Sequence, residues 1–351
     1  MLPRTIVETR ERVRQWDEAI AADSQMYSRL AQFVATNDAI LDVIRRVQRG
    51  QLEMNMLLAA VQYLLLHDPT QPLAAWYPSL GGTRQDEQLE EAFRDFVLSH
   101  RDAILELITT RRVQTNEVAR CVFLLPAYNL VESWAGRPLA LAEIGTSAGL
   151  NQNVDRYGYA YQSSAGTMRL GERSAVQLHT DCGPTVPKSA RRIPNIVWRT
   201  GVDLHPIDVT DVDDAMWLRA LVWPDQVERH SRLAAAIEVA QSHPPKVAEG
   251  DAFVVLPDLV ARAPQHCTLI VQHSFVLNQF SSAERERFYD LLDEQAQERP
   301  IYRVAAEWLT QIRATVLSIT EHGPDRRTTE LGQVHHHGAW MRLTEPDRGL
   351  P

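Results

Sequence analysis

Apolar residues recur at helical spacing through the first third of the chain and in short unbroken runs after it. Val7 to Ala21 is polar-rich with one apolar stripe, and Ser24 stands as a cap for a helix from Gln25 to Thr36. Ala39 to Gln48 follows, with Gly50 placed as its stop, and Leu52 to Leu66 reads as a buried helix ended by D-P-T-Q-P. W-Y-P-S-L-G-G-T, Trp76 to Thr83, has the Pro and Gly content of a loop. Glu87 to Arg111 carries Leu89, Phe93, Phe96, Val97, Ile104, Leu105 and Ile108 on one face and reads as a single helix. A further helix begins at T-N-E-V near Thr115 and is bent or broken at Pro126.

Past Gly136 and Pro138 the texture changes. P-L-A-L-A-E-I-G is a short apolar run closed by a glycine, as a buried parallel strand would be. I-V-W-R-T-G-V-D, V-A-E-G-D-A, C-T-L-I-V-Q-H-S and Y-R-V-A-A-E-W repeat the type. They alternate with helical segments at Asp214 to Leu221, Gln226 to Gln241, Phe253 to Ala261 and Ala283 to Glu298. Strands alternating with helices imply a parallel sheet with helical crossovers. A-T-V-L-S-I-T, a loop through Gly323 and Pro324, and V-H-H-H-G-A-W-M-R-L then read as an antiparallel hairpin. The fold class expected is therefore α/β: a Rossmann-type, mostly parallel sheet with a C-terminal antiparallel hairpin, preceded by an all-α N-terminal domain. The boundaries expected are 1–130 for a helical cap and 131–351 for the α/β domain. A β insertion falls at about 157–195, where Y-G-Y-A-Y and A-V-Q-L-H-T alternate.

Composition narrows the function. The 44% apolar fraction supports a large core, and a net charge of −9 argues against general nucleic-acid binding or attraction to an anionic membrane. Lys188, Arg191, Arg192 and Arg199 form one weakly basic patch, best read as a solvated loop. Cys121, Cys182 and Cys267 are far apart and lack a C-x-x-C, so neither a disulfide framework nor a cysteine zinc site is indicated, which suits a reducing compartment. The most apolar run, Met56 to Leu66, is short of the roughly 20 residues of a membrane helix, and the charged N-terminus lacks a signal-peptide core. A soluble cytoplasmic protein acting on a small molecule is the expectation.

The stretch E-I-G-T-S-A-G-L-N, 143 to 151, has two readings. G-T-S-A-G fits the G-x-S-x-G elbow of a serine hydrolase, with Ser147 as nucleophile and a triad from Asp251 or Asp258 and His322 or His337. Such an elbow needs strands before it, and the residues before it here read as helices. The other reading is the glycine turn after the first strand of a nucleotide-binding sheet, with Gly145 and Gly149 flanking a turn into a helix near Leu150. G-V-D-L-H-P then puts Asp203, followed by Leu204, at the tip of the second strand, suited to ribose hydroxyls. G-D-A puts Asp251 and Ala252 at the third tip, and Q-H-S puts His273 and Ser274 at the fourth. Ser147 stands where a dinucleotide fingerprint has its second glycine. Three carboxylates, Glu143, Asp203 and Asp251, would repel a diphosphate and suit a sulfonium with its amine, so the charge pattern favours S-adenosylmethionine over NAD.

At these residues the chain resembles class I S-adenosylmethionine-dependent methyltransferases over about 135 to 345. Almost its whole length resembles the bacterial family called domain of unknown function 2332. That likeness is carried by W-Y-P-S-L-G-G, Q-T-N-E-V-A-R-C, E-I-G-T-S-A-G-L-N-Q-N-V-D-R-Y, G-V-D-L-H-P-I-D-V-T-D, W-L-R-A-L-V-W-P-D-Q-V-E-R and G-D-A-F-V-V-L-P. The resemblance implies a transferase fold with Glu143, Gly145, Ser147, Gly149, Asn151, Asp203, Leu204, Asp251, Ala252, His273 and Ser274 around the cofactor. It departs from that pattern where Glu143 and Asp203 lie much further apart than the roughly 20 residues of such units.

Methyl transfer needs alignment, exclusion of water and sometimes a base. His273 is the first candidate base, with a hydrogen-bonded structural histidine as the alternative. Tyr77, Tyr128, Trp223 and Asp225 are candidates for the acceptor pocket, with packing as the alternative for the aromatics. His335, His336 and His337 suggest a metal, but on a strand only His335 and His337 would share a face, so none is assigned. Three functions remain open: a small-molecule methyltransferase, a silent adenosyl-binding or interaction protein on the same fold, and a serine hydrolase.

Overall fold

The computed structural model describes residues 4–21 and 23–346. Its contacts divide the chain into two compact units, one running to Thr115 and taking in Asp211–Ala234, the other comprising Asn116–Thr210 and the chain from Ala235 onward. The boundary read from sequence, 130/131, falls inside a helix of the second unit.

The first unit is helical. Helix α1 (Ile6–Ile20) starts at a capping box in which Thr5 and Glu8 satisfy each other's amides, and it buries Thr9, Val13, Trp16 and Ile20. Ser24 caps α2 (Gln25–Thr36) by accepting from the Tyr27 amide, as expected. The next helix, α3 (Asp38–Ile44), stops earlier than its apolar pattern suggested, and α4 (Glu53–His67) follows. The expected single helix over 87–111 is two, α5 (Leu89–Ser99) and α6 (Arg101–Thr110). At the junction Ser99 Oγ donates to the Asp95 carbonyl at 2.7 Å, and His100, the last residue whose amide bonds back into α5, also sets Nδ1 against the Phe96 carbonyl at 3.0 Å. The segment 211–234 contributes α8 (Val212–Ala220), whose Trp217 and Ala220, with the capping Leu221, join the core of this unit.

In the second unit a 3-10 turn, Val118–Arg120, leads into α7 (Cys121–Ala135). Pro126 neither ends nor breaks that helix. Proline removes the bond that the Val122 carbonyl would receive. The Tyr161 hydroxyl supplies a substitute, donating to Val122 O at 3.0 Å. Strand β1 (Leu139–Ile144) then enters a central position. The helix expected from Leu150 is a 3-10 segment, Leu150–Arg156, kinked at Asn153. Its carbonyls are claimed by side chains: Tyr157 Oη takes Leu150 O, Arg199 takes Gln152 O and Tyr159 Oη takes Val154 O.

The insertion is a separate three-stranded sheet of β2 (Gly158–Ser163), β3 (Gly166–Leu170) and β4 (Gln177–Asp181), in the order β3-β2-β4. The main sheet continues with β5 (Ile196–Asp203), α9 (Val227–Ser242), β6 (Val247–Glu249), α10 (Ala252–Arg262), β7 (Thr268–Ser274), α11 (Ser282–Gln295) and β8 (Ile301–Leu309). It ends with β9 (Ala314–His322), β10 (Arg327–Val334) and β11 (Met341–Leu343). The order is β11-β10-β9-β8-β7-β1-β5-β6, with β6 to β8 through β1 parallel and β9, β10 and β11 antiparallel. The expected C-terminal hairpin is thus a three-strand meander on β8. His335 to His337 lie in the turn between β10 and β11, closed by His335 N to Trp340 O at 2.9 Å, and not on a strand.

Alternation sorts the two faces. Ala140, Ala142 and Ile144 of β1, with Leu269 and Val271 of β7, pack against α10 and α11. Leu139, Leu141 and Glu143 take the opposite face, on the side of α7, which packs on β7 and β8.

Tyr161→Phe is expected to destabilise the second unit by about 1–3 kcal/mol, because it strands the buried Val122 carbonyl beside Pro126. Urea unfolding measures it. Restoring an amide donor with Pro126→Ala should recover most of the loss, and an unchanged midpoint in Tyr161→Phe would show that the hydroxyl does not support the helix at Pro126.

Candidate functional site

From β1 the chain steps outward to β5 and β6, then returns across β1 to β7 and β8. The reversal lies between β1 and β7. Open sheets of this kind bind ligands beyond the carboxyl ends of their strands at such a point.

The turn after β1 occupies that place. Gly145, Ser147 and Gly149 all have positive φ, at 65°, 54° and 69°. A Cβ on Gly145 would lie 2.6 Å from Val276 Cγ2, and one on Gly149 would lie 2.5 Å from Pro245 Cβ, so close packing and backbone conformation both require glycine there. Ser147 holds a left-handed conformation without being glycine, which costs strain. What fixes it is Asp203 at the tip of β5: Oδ2 accepts from the Ser147 amide at 2.8 Å and Oδ1 from the His205 amide at 3.0 Å.

Glu143 braces the turn from beneath. It is 3% exposed and faces the α7 side of the sheet. Thr146 Oγ1 donates to Oε2 at 2.5 Å and Asn151 Nδ2 to Oε1 at 3.4 Å, while Gln152 Nε2 supports Thr146 at 3.1 Å. Burial pushes the Glu143 carboxyl up to about 7, against the lowering effect of Thr146, Asn151 and the Arg120 charge. Asp251 is exposed and caps α10, accepting from Phe253 N at 2.9 Å, and the amide of Gly250 beside it donates to Asp203 O. The expected ring of three carboxylates is therefore corrected. They come from adjacent strand ends, but Glu143 lies under the turn, Asp203 holds amides and Asp251 faces solvent. Two apolar side chains stand open beside the latter pair, Leu204 at 60% and Val254 at 73% exposure. Ala252 is half-buried in the first turn of α10.

His273 does not suit the role of base. It is fully buried on the opposite face of the sheet from Glu143, with Phe288 edge-on to its ring. Nδ1 meets Glu307 Oε1 at 2.7 Å and Nε2 meets Arg303 Nη1 at 3.3 Å. Since the guanidinium can only donate, Nε2 accepts and the ring proton sits on Nδ1. Burial holds this imidazole below its ordinary range, against the raising effect of Glu307, so it is neutral with both nitrogens engaged. Ser274 remains at the rim, where its Oγ accepts from Arg120 Nη1 at 3.2 Å.

Of the acceptor candidates, Tyr77, Trp223 and Asp225 gather in the first unit around Tyr27. The Tyr27 and Trp223 rings are 5.7 Å apart, and the charges of Tyr77 and Asp225 both act on the Tyr27 phenol. Tyr128 belongs to α7 of the second unit. Among the described residues no group of three or more His, Cys, Asp or Glu is placed to hold a metal ion, and no helix is long and apolar enough to cross a membrane.

Sequence reading missed Asn116, whose Oδ1 accepts from Leu150 N at 2.9 Å at the end of the turn, and Arg120, which ties Ser274 to the His336 carbonyl. It also missed a charged network on the α11 face. Arg303 reaches Thr320 Oγ1 at 2.8 Å and stacks on Tyr289 at 4.5 Å, and His322 Nδ1 meets Asp293 at 2.7 Å. Even spacing on one strand, Arg303 and Glu307 in Y-R-V-A-A-E-W, was the available signal.

This network predicts acid lability. Burial lowers His322 to about 4 and lowers His273 as well, so the unfolded chain binds more protons between the ordinary histidine value and the folded one. The histidines should make stability fall as pH drops from about 6.5 toward 4, by up to about 1.4 kcal/mol per pH unit each. The raised Glu143 carboxyl offsets up to one such contribution between about pH 7 and 4.5. Urea unfolding at pH 7, 6 and 5 tests this, with His322→Gln flattening the slope. The same slope in His322→Gln as in the unaltered protein would contradict it.

Residues 10–342 match the bacterial family described as "Uncharacterized protein conserved in bacteria (DUF2332)", and the chain belongs to it. No curated protein and no solved structure matches the chain.

Proposed function

We propose that this family member binds S-adenosylmethionine at the carboxyl-end rim of β1, β5 and β6 and transfers its methyl group to a small-molecule acceptor, on a methyltransferase-like sheet. One observation carries the reading: Asp203 and Asp251 end neighbouring strands, with the exposed Leu204 and Val254 beside them. A nucleoside needs an apolar platform for its base and acceptors for its two ribose hydroxyls, and this rim offers both. The acceptor chemistry of the rim thus fits the adenosyl half of the cofactor.

The bound cofactor would supply an electrophilic methyl on a positive sulfur. The protein's own contribution is position. Asp203 and Asp251 would hold the ribose side, Leu204, Ala252 and Val254 would cover the base, and the Gly145–Gly149 turn, with Ser274, would face the amino-acid end, Asn151 supporting it from beneath. Glu143 acts through Thr146 and Asn151 as a positioning residue. A second reading, an adenosyl-binding protein without transfer, is favoured by the engagement of both His273 nitrogens, which removes the candidate base. The hydrolase reading places its nucleophile after β1, the first strand among the described residues, whereas an elbow of that type draws oxyanion donors from an earlier strand connection.

Calorimetry with S-adenosylmethionine and S-adenosylhomocysteine is the test. Both ligands should bind. Asp251→Asn should weaken binding by about tenfold, and Leu204→Glu should do the same while leaving the fold intact by circular dichroism. Binding without turnover over a broad acceptor panel would select the silent protein. No binding of either ligand, with fluorophosphonate labelling of Ser147, would select the hydrolase.

A further inference from the structure

A second set of buried polar groups lies on the α7 face, beneath the turn. Glu143 and Gln272 are neighbours in register on β1 and β7, so both side chains point to this face. Asn151 bonds Glu143, and Cys121 Sγ donates to Asn151 Oδ1 at 3.5 Å. Tyr128, two helical turns beyond Cys121 on α7, is near enough for the Glu143 charge to act on its phenol. Gln272 is 0% exposed, and neither its Oε1 nor its Nε2 has a partner; the buried Tyr128 hydroxyl has none either. Glu143 is hydrogen-bonded only by neutral side chains, Thr146 and Asn151.

An interior that buries a carboxylate without a bonded cation, and leaves an amide and a phenol free beside it, is built for a carboxyl that changes its protonation state. The ionised form accepts from Thr146 and Asn151. The protonated form has one O–H to donate, and Gln272 Oε1 and the Tyr128 oxygen are free to accept it. We propose that Glu143, Gln272 and Tyr128 form a proton-binding site beneath the Gly145–Gly149 turn, occupied when the turn is empty and vacated to solvent when a cationic ligand settles on it.

The surrounding charges fit this exchange. Arg120 favours the ionised form but its guanidinium is committed to Ser274 and His336, and Asp203 on β5 opposes ionisation. Cys121, Tyr128 and Tyr157 are buried and held in their neutral forms, with thiol and phenols raised chiefly by burial. Glu117 and Asp155 add negative charge around Cys121, and His273 lies on the other face of the sheet. A positive charge above the turn would reverse that balance. The site would thereby set a preference for ligand charge, favouring a sulfonium over its neutral thioether product as pH rises. The identity of the cation rests on the adenosyl reading, whereas the proton site does not.

Infrared titration of the ligand-free protein, with isotope-labelled glutamate, tests the site itself. One buried carboxyl band should vanish with a midpoint near 7. The band should be missing in Glu143→Gln, and Tyr128→Phe, which removes one acceptor of the protonated form, should lower its midpoint. Calorimetry with S-adenosylmethionine in phosphate and in Tris at pH 7 then tests the coupling. The enthalpies should differ by release of about half a proton, with no difference in Glu143→Gln and less for S-adenosylhomocysteine. Affinity for S-adenosylmethionine should rise by up to about tenfold per pH unit between pH 6 and 7 and level off above. A carboxyl that does not titrate near 7, or equal enthalpies in both buffers, overturns the inference. If the band titrates but S-adenosylmethionine binds in neither buffer, the adenosyl reading falls and the proton site stands.

Discussion

The carboxyl rim depends on how one strained turn is held. Ser147 sits in a left-handed conformation that its side chain disfavours, and the Asp203 carboxylate fastens its amide to the tip of the neighbouring strand. Glu143 fastens the same turn from inside the sheet through Thr146 and Asn151. Two acids from strands that are adjacent in space but distant in the chain thus clamp five residues from opposite sides. With the turn fixed, Asn116 can cap Leu150, and the rim between β1 and β7 keeps a defined shape.

The same economy recurs around α7. Proline in mid-helix frees a carbonyl, and a tyrosine from the inserted sheet bonds it. The residues after the turn make a kinked 3-10 segment because Tyr157, Tyr159 and Arg199 have taken its carbonyls. The insertion is therefore part of the framework around the turn. It is also tied to the C-terminal meander, through Asp181 N to Ala339 O at 3.0 Å and the Arg342–Asp181 pair.

Much of the architecture was legible because local patterns agreed with tertiary use. The central strands of the parallel sheet, β1 and β7, are short mostly apolar runs, and the Ser24 cap marks α2 to the residue. Two of the failures share a feature. The passage through Pro126 and the loss of the helix at Leu150 each involve a side chain bonding a backbone carbonyl, which periodicity does not register. At the site, the strand-tip positions of Glu143, Asp203, Asp251 and His273 were readable, but the direction in which each points was not. Period-two alternation sends Glu143 and His273 to opposite faces, and that depends on register, which sequence alone left open.

The first unit borrows Asp211–Ala234 from beyond β5, and Trp217, Ala220 and Leu221 complete its core. During synthesis, the N-terminal helices must wait for that segment to leave the ribosome, at about 5–20 residues per second. By then β1 and β5 have emerged without β7, the neighbour that closes the other flank of β1. Both halves therefore spend the same interval with apolar surface uncovered, the stage at which a nascent chain is most exposed to aggregation.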